Sequence, residues 1–342
     1  YDLLNQQYTS VGGNPDHIYA RTANSYKHTL NAFTTYDLNL NVGHDFKFMA
    51  GTNLVTDNGS YNWTQRTALL DITNPQFDLA TGTITGSGGE SWGAQLGYFG
   101  RINYAFKNKY LLEGNIRYDG SSNFPTDLRW RWFPSVSAGW VASEENFMQW
   151  AKPTLSNLKF RVSWGRIGNQ AVPADLYVSN MGSAEGSWIA GGAKVVNIGS
   201  PALRVSSVSW EDLETIDYGV DARFFNNKLG VVFDYYERTT KNMFAPTEGT
   251  TFTLGGGAPV GNYGQLKTKG YEIAVDYNHR FDNGLGINFR ANLDDAKSIF
   301  SGYTSSRLTS AYYDGSVYGD IWGYATDRLY QYDDFQLDAN GN

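Results

Sequence analysis

The stretch "YLLEGNIRYDGSSNFPTDLRWRWFPSVSAGW", Tyr110 to Trp140, decides how the rest of the chain is read. Up to Asp119, apolar and polar residues alternate. Leu112, Gly114, Ile116 and Tyr118 take one side, and Glu113, Asn115, Arg117 and Asp119 take the other. A period of two belongs to a strand, whose successive side chains point to opposite faces. Asp119–Gly120 then predicts a reversal, because glycine tolerates the positive φ that tight reversals use. Ser121–Trp132 reads as a loop and Phe133–Ser143 as the returning strand. The loop with its two tryptophans is either a ligand contact or a plain strand reversal.

The same alternation recurs along the chain. Leu285, Ile287, Phe289, Ala291 and Leu293 oppose Asn288, Arg290, Asn292 and Asp294. Tyr271, Ile273, Val275 and Tyr277 oppose Glu272, Asp276, Asn278 and Arg280. Trp92, Ala94, Leu96, Tyr98, Ile102 and Tyr104 oppose Gln95, Arg101 and Asn103. The runs predict about ten strands, at 26–40, 46–57, 91–106, 110–119, 133–143, 158–168, 214–225, 229–242, 267–281 and 285–299. Several are roughly 10 to 15 residues long, against ~5 to 6 for ordinary globular strands and ~9 to 11 for a tilted strand that crosses a bilayer.

Connections alternate in length. "NVGHD" at 41–45, "KNK" at 107–109, "NNK" at 226–228 and "DNG" at 282–284 are short. Between them fall long loops at 58–90, 120–132, 169–213, 243–266 and from 300 onward. The connection 144–157 is longer than the other short ones and is expected to hold a helical turn. Short turns on one side and long loops on the other are the habit of outer-membrane barrels. The expected fold is therefore all-β, a transmembrane antiparallel β-barrel. Tyr104, Phe106, Tyr110 and Tyr118, at strand ends, fit an interfacial aromatic girdle, although aromatic residues favour strands in any case.

Composition agrees with this class. The 342 residues carry a net charge of −7, so the chain offers no basic footprint for nucleic acid. Cysteine is absent, which removes disulfides, thiolate metal sites and cysteine nucleophiles. No apolar run reaches the ~18 residues of a transmembrane helix. The mean hydropathy of −0.44 does not exclude a membrane barrel, since half of each strand faces an aqueous lumen. The chain opens at Tyr1 and closes in "QLDANGN", which reads as a piece of a longer chain.

Several ordered stretches carry a resemblance. "KYLLEGNIRYDGSSNF", "RWRWFPSVSAGWVASEENFM", "LKFRVSWGRIGNQ", "LETIDYGVDARFFNNKLGVVFDYYERTTKNMF", "NYGQLKTKGYEIAVDYN" and "IWGYATDRLYQYDDF" follow one another between 109 and 335. Together they closely resemble the SusC-like (RagA-like) TonB-dependent outer-membrane transporters of Bacteroidetes. The first 109 residues fit the same rhythm more loosely. The resemblance implies a barrel of about 22 strands around an N-terminal plug. Residues 1–342 would be one part of that barrel domain, with the plug and the last strands outside it. It also implies a SusD-like surface lipoprotein as lid, coupling to the TonB complex, and oligosaccharide or peptide substrates.

Other motifs were weighed against plainer readings. His17, His28, His44 and His279 are dispersed, and neither HExxH nor G-x-S-x-G occurs, so no enzyme is expected. The glycine runs at 86–91 and 255–259 do not open helices, so they are loop apices and not phosphate cradles. "DANGN" from Asp338 could begin a calcium loop, or be an Asx turn. Tyr61, Trp63, Trp130, Trp132, Trp188, Tyr263, Tyr312 and Tyr313 fall in loops or at strand ends. They are the candidate ligand contacts, with loop packing or lid contact as the alternative. Glu113, Arg117, Arg161, Asp221, Arg223, Glu272, Asp276 and Arg290 are expected to face the lumen.

The functional expectation is active import of nutrient oligomers across the outer membrane. A passive porin-like or adhesive barrel and a soluble carbohydrate-binding β protein are the alternatives. Substitution of Ile116 by Arg separates the last from the membrane barrels.

Overall fold

The computed structural model describes residues 17–40, 42–172, 176–201, 203–205, 207–246, 259–302, 313–321, 323, 325–329, 331 and 334. Ten strands form one antiparallel sheet in chain order. They are β1 (His17–Leu40), β2 (His44–Thr67), β3 (Ile84–Phe106), β4 (Tyr110–Ser121), β5 (Trp130–Val141) and β6 (Leu155–Asn169). After a small hairpin, β7 (Ser183–Ala190) and β8 (Ala193–Ile198), come β9 (Glu211–Phe224), β10 (Leu229–Pro246), β11 (Val260–Arg280) and β12 (Gly286–Phe300). The hairpin forms its own sheet between β6 and β9 in sequence. Each of the ten predicted strands is present, in the predicted order.

Register fixes the two faces. Tyr118 pairs with Tyr98 on one side and Trp132 on the other. Eight residues toward the short turns, Tyr110 pairs with Phe106 and Trp140, and Trp140 with Phe160. Leu112, Gly114 and Ile116 lie between these aromatic rows on the same face. The rows stand roughly 26 Å apart along a strand, or about 20 Å across a wall tilted by ~40°, close to the ~25 Å apolar band of a membrane barrel. Leu112, Ile116 and Val136 keep half of their side chains exposed, as a lipid-facing surface requires.

The opposite face is polar. Glu113 pairs with Asn103 and Ser137, and Ser137 with Ser163. Farther round, Arg161 pairs with Gly219, Gly219 with Asp234, Asp234 with Glu272, and Glu272 with Asp294. All eight residues expected at the lumen share this face. A hollow of about 540 Å³ lies along it, lined by Asp37, Lys47, Asn103, Glu113, Ser137 and Arg161.

Short connections occupy one end: the β1–β2 turn with Val42 and Gly43, 107–109, 142–154, 225–228 and 281–285. The 142–154 connection carries short 3-10 turns at Ala142–Glu144 and Asn146–Ala151, as expected. The turn after β3 holds Lys107 and Asn108 at φ 51° and 55°, the left-handed geometry that matches strand twist in tight hairpins.

Three expectations about the long-loop end are corrected. The strands run farther than the alternation suggests, with 24 residues each in β1 and β2. Beyond the membrane both faces of a ladder meet water, so pairing continues where the apolar period stops. Gly120 is not a left-handed turn residue. It is the penultimate residue of β4, paired with Trp130. A Cβ at Gly120 would lie 2.7 Å from Trp130 ring atoms, so glycine serves here to seat an indole. Trp130 and Trp132 accordingly belong to β5 and not to the loop.

Candidate functional site

The long-loop end has its own small core. Phe124 and Val208 are fully buried and pack with Phe133 and Trp210. The Trp210 indole donates to the Arg129 carbonyl at 2.9 Å. Arg131 pairs with the buried Asp212, whose carboxylate also accepts from the Asn242 amide at 3.1 Å. Asn262 accepts from the Ser209 backbone at 2.9 Å and donates to the Asn242 carbonyl at 2.7 Å. These bonds tie Ser209 and Trp210, at the end of the connection after β6, to β5, β10 and β11.

Ion pairs organise the polar face. Arg161 on β6 is held by Asp221 and Asp234 at 2.8 and 2.9 Å. Arg223 meets Asp276 at 2.9 Å, and Arg117 meets Asp119 at 2.8 Å. The Arg161 and Arg223 pairs run across strands and the Arg117–Asp119 pair along β4, so the charges on this face are paired with one another. Among the described residues, no group of three or more His, Cys, Asp or Glu could hold a metal ion. The possible calcium loop at Asp338 lies outside the described residues.

The candidate ligand contacts separate by face. Tyr61 and Trp63 sit inside β2 and not in a loop. Unbroken register with β1 and β3 puts them on the same face as Lys47, Met49 and Asn53, the lumen side. Trp63 stacks with Tyr19 at 5.8 Å between centroids, and the Arg21 guanidinium lies 5.0 Å from the centre of the Tyr61 ring. Trp130 and Trp132 lie on the opposite face, stacked against Tyr118 at 4.9 and 4.4 Å. That places them in the outer aromatic girdle above Ile116. Trp188 is on the β7 strand of the projecting hairpin, 78 % exposed. Tyr263 is on β11, its ring over Gly261. Tyr313 begins a turn in which its carbonyl accepts from Ser316. Tyr312 lies outside the described residues. The sequence reading missed Tyr19 and Arg21, although their i, i+2 spacing puts both on one face of a strand.

The comparisons with known proteins match this architecture. A family profile described as "TonB dependent receptor-like, beta-barrel" matches residues 1–342. TonB-dependent receptor P3 of Formosa agariphila is 25 % identical over 337 residues, 94 % of this chain and 33 % of that protein. TonB-dependent receptor SusC of Bacteroides thetaiotaomicron is 34 % identical over 187 residues, 52 % of this chain and 18 % of that protein. The chain thus spans a third or less of the length of these relatives. In fold, it superposes on a chain of the RagAB peptide transporter with a TM-score of 0.75 and 19 % identity, over 84 % of this chain and 32 % of that one. The outer-membrane transporter YddB of Escherichia coli gives 0.54 at 11 % identity, over 82 % and 34 %. With one lipid face, one polar face and sorted loops, and matched by this profile along its whole length, the chain belongs to the TonB-dependent receptor β-barrel family of the outer membrane.

Proposed function

We propose that residues 1–342 form part of the barrel domain of an active importer that takes nutrient oligomers, foremost oligosaccharides and otherwise peptides, across the outer membrane. The observation that supports this best is the division of one ten-stranded sheet into a lipid face and an ion-paired lumen face, crowned by extended strands on the long-loop side. Among the described residues β1 and β12 are the edges of the sheet, and hydrocarbon does not tolerate unpaired edge groups, so the reading takes further strands to close the barrel. A plug fits the lumen face, whose charges require a polar filling. A SusD-like lipoprotein fits as the lid at the long-loop end. The reading needs no covalent chemistry in the chain.

Uptake by cells tests it. Cells carrying the full-length protein are expected to take up oligosaccharide only with an intact inner-membrane proton gradient and TonB. Uptake that persists after uncoupling, or in a TonB deletion, overturns active import. Loss of uptake on deletion of the cognate SusD-like lipoprotein is the expected result for the lid.

A further inference from the structure

The extracellular extension of β1–β3 carries a ledge on its lumen side that we propose is a subsite for acidic oligosaccharides. This rests on the import reading above and goes further, naming the substrate class. The rungs are set by register: Ala23, Tyr61 and Gly89; Arg21, Trp63 and Ser87; Tyr19, Gln65 and Thr85. On the opposite face, Tyr26 and Trp92, either side of Asn58, are aromatic residues facing outward on a rung three to seven residues nearer the membrane along β1. The ledge therefore stands clear of the hydrocarbon, on the side that leads into the barrel.

Its chemistry is specific. On the β1 side, the rings of Tyr61 and Trp63 are backed by Arg21 and Tyr19. On the β3 side they meet only Gly89 and Ser87. A Cβ at Gly89 would sit 3.0 Å from the Tyr61 ring, so the phenol leans over a backbone floor. Two aromatic faces beside a small-residue floor with hydroxyls suit the flat C–H face of a pyranose, with Ser87 and Gln65 in reach of its hydroxyls. Arg21 adds the charge. It packs on Tyr61, and among the described residues no carboxylate pairs with it. Asp57, a carboxylate on this face six residues from Trp63 along β2, sits directly opposite Lys27. A guanidinium with a free edge beside a sugar platform selects a carboxylate or sulfate on the sugar, since its planar fork bonds such groups in pairs.

The test is calorimetric titration of the full-length transporter in detergent, with three probes: oligogalacturonate, maltoheptaose and poly-glutamate. Oligogalacturonate is expected to bind at least about tenfold tighter than the other two, a gap of the size one well-made contact supplies. Tyr61→Ala and Trp63→Ala should each weaken it by about tenfold, and Trp63→Tyr should restore most of the loss. Arg21→Gln should erase the preference over maltoheptaose while leaving maltoheptaose unchanged. Equal affinity for neutral and acidic glycans, no binding of oligogalacturonate, or variants that bind like the parent overturn the subsite. Poly-glutamate binding on a par with oligogalacturonate overturns it in favour of peptides. TonB dependence of uptake is read separately, so failure of the import reading leaves the binding result standing.

Discussion

The Arg161 guanidinium on β6 crosses Gly219 on β9 and donates to Asp234 on β10 at 2.9 Å. Asp221 holds it as well, at 2.8 Å. Gly219 makes this reach possible: a Cβ there would lie 2.6 Å from the Arg161 Cζ and would press into the Asp234 carboxylate. The same device recurs one strand on, where Arg223 crosses Gly230 to Asp276. Each guanidinium thus laces three strands together from the lumen side. Gly219→Ala is expected to cost about 1–3 kcal/mol by overpacking. Gly114→Ala, on the lipid face with nothing within 4 Å of its added Cβ, should be neutral or nearly so. Urea unfolding of the full-length barrel from lipid vesicles measures both, and equal effects would disprove the lacing argument.

Ile116 tests which face meets lipid. It stands between the aromatic rows and is 48 % exposed. Ile116→Arg should cost roughly 2–4 kcal/mol near the midplane, whereas Asn115→Arg, one residue along and facing the lumen, should cost far less. Folding yield into vesicles compares them, and equal losses would mean that the faces are misassigned.

Legibility in the sequence followed the solvent. Leu112–Ile116 and Leu285–Leu293 read cleanly as strands because one face meets lipid and the other water. β2 beyond Asp57 did not, because "NGSYNWTQRT" is wet on both sides and shows no period. The residue type alone suggests a turn at Gly120, while its reason is the Trp130 ring across the ladder. The β7–β8 hairpin does leave a signal, the Gly191–Gly192 pair between apolar runs, whose φ values of 60° and 86° make the turn. Side-chain partnerships are the least legible. Tyr61 joins Arg21 only through register, and Arg131 meets Asp212 across 81 positions of sequence. Such pairings depend on which strands are neighbours, which composition and period leave open.

Trp130 and Trp132 separate girdle from site. Both stack on Tyr118 and face outward with Tyr98. Trp132→Ala should lower barrel stability in vesicles by about 1 kcal/mol, the scale of an aromatic pair. It should leave the oligogalacturonate affinity of the full-length transporter unchanged, the reverse of Trp63→Ala. If Trp132→Ala instead weakens the glycan and spares stability, the girdle assignment fails.

Glu145 gathers the short-turn end. Its carboxylate accepts from the Tyr110 hydroxyl, from the Trp140 indole at 3.3 Å and from Lys109 at 3.4 Å. These bonds favour the charged form, the Tyr110 hydroxyl foremost, and hold the carboxyl below its ordinary value of 4.5. A group depressed on folding stabilises above its unfolded pKa and loses that contribution as pH falls through the folded one. The tie between the 142–154 connection, the start of β4 and the end of β5 should therefore persist at pH 5 and above. It should loosen only when pH drops below the ordinary glutamate range. Hydrogen exchange of the amides of 142–154, corrected for the intrinsic rate and followed against pH in the full-length protein, reads that loosening. Glu145→Gln keeps the shape but weakens acceptance from Lys109 and the indole, so it should raise exchange at neutral pH and flatten the acid limb of the profile. A parent and variant with the same profile would place the control of this turn elsewhere.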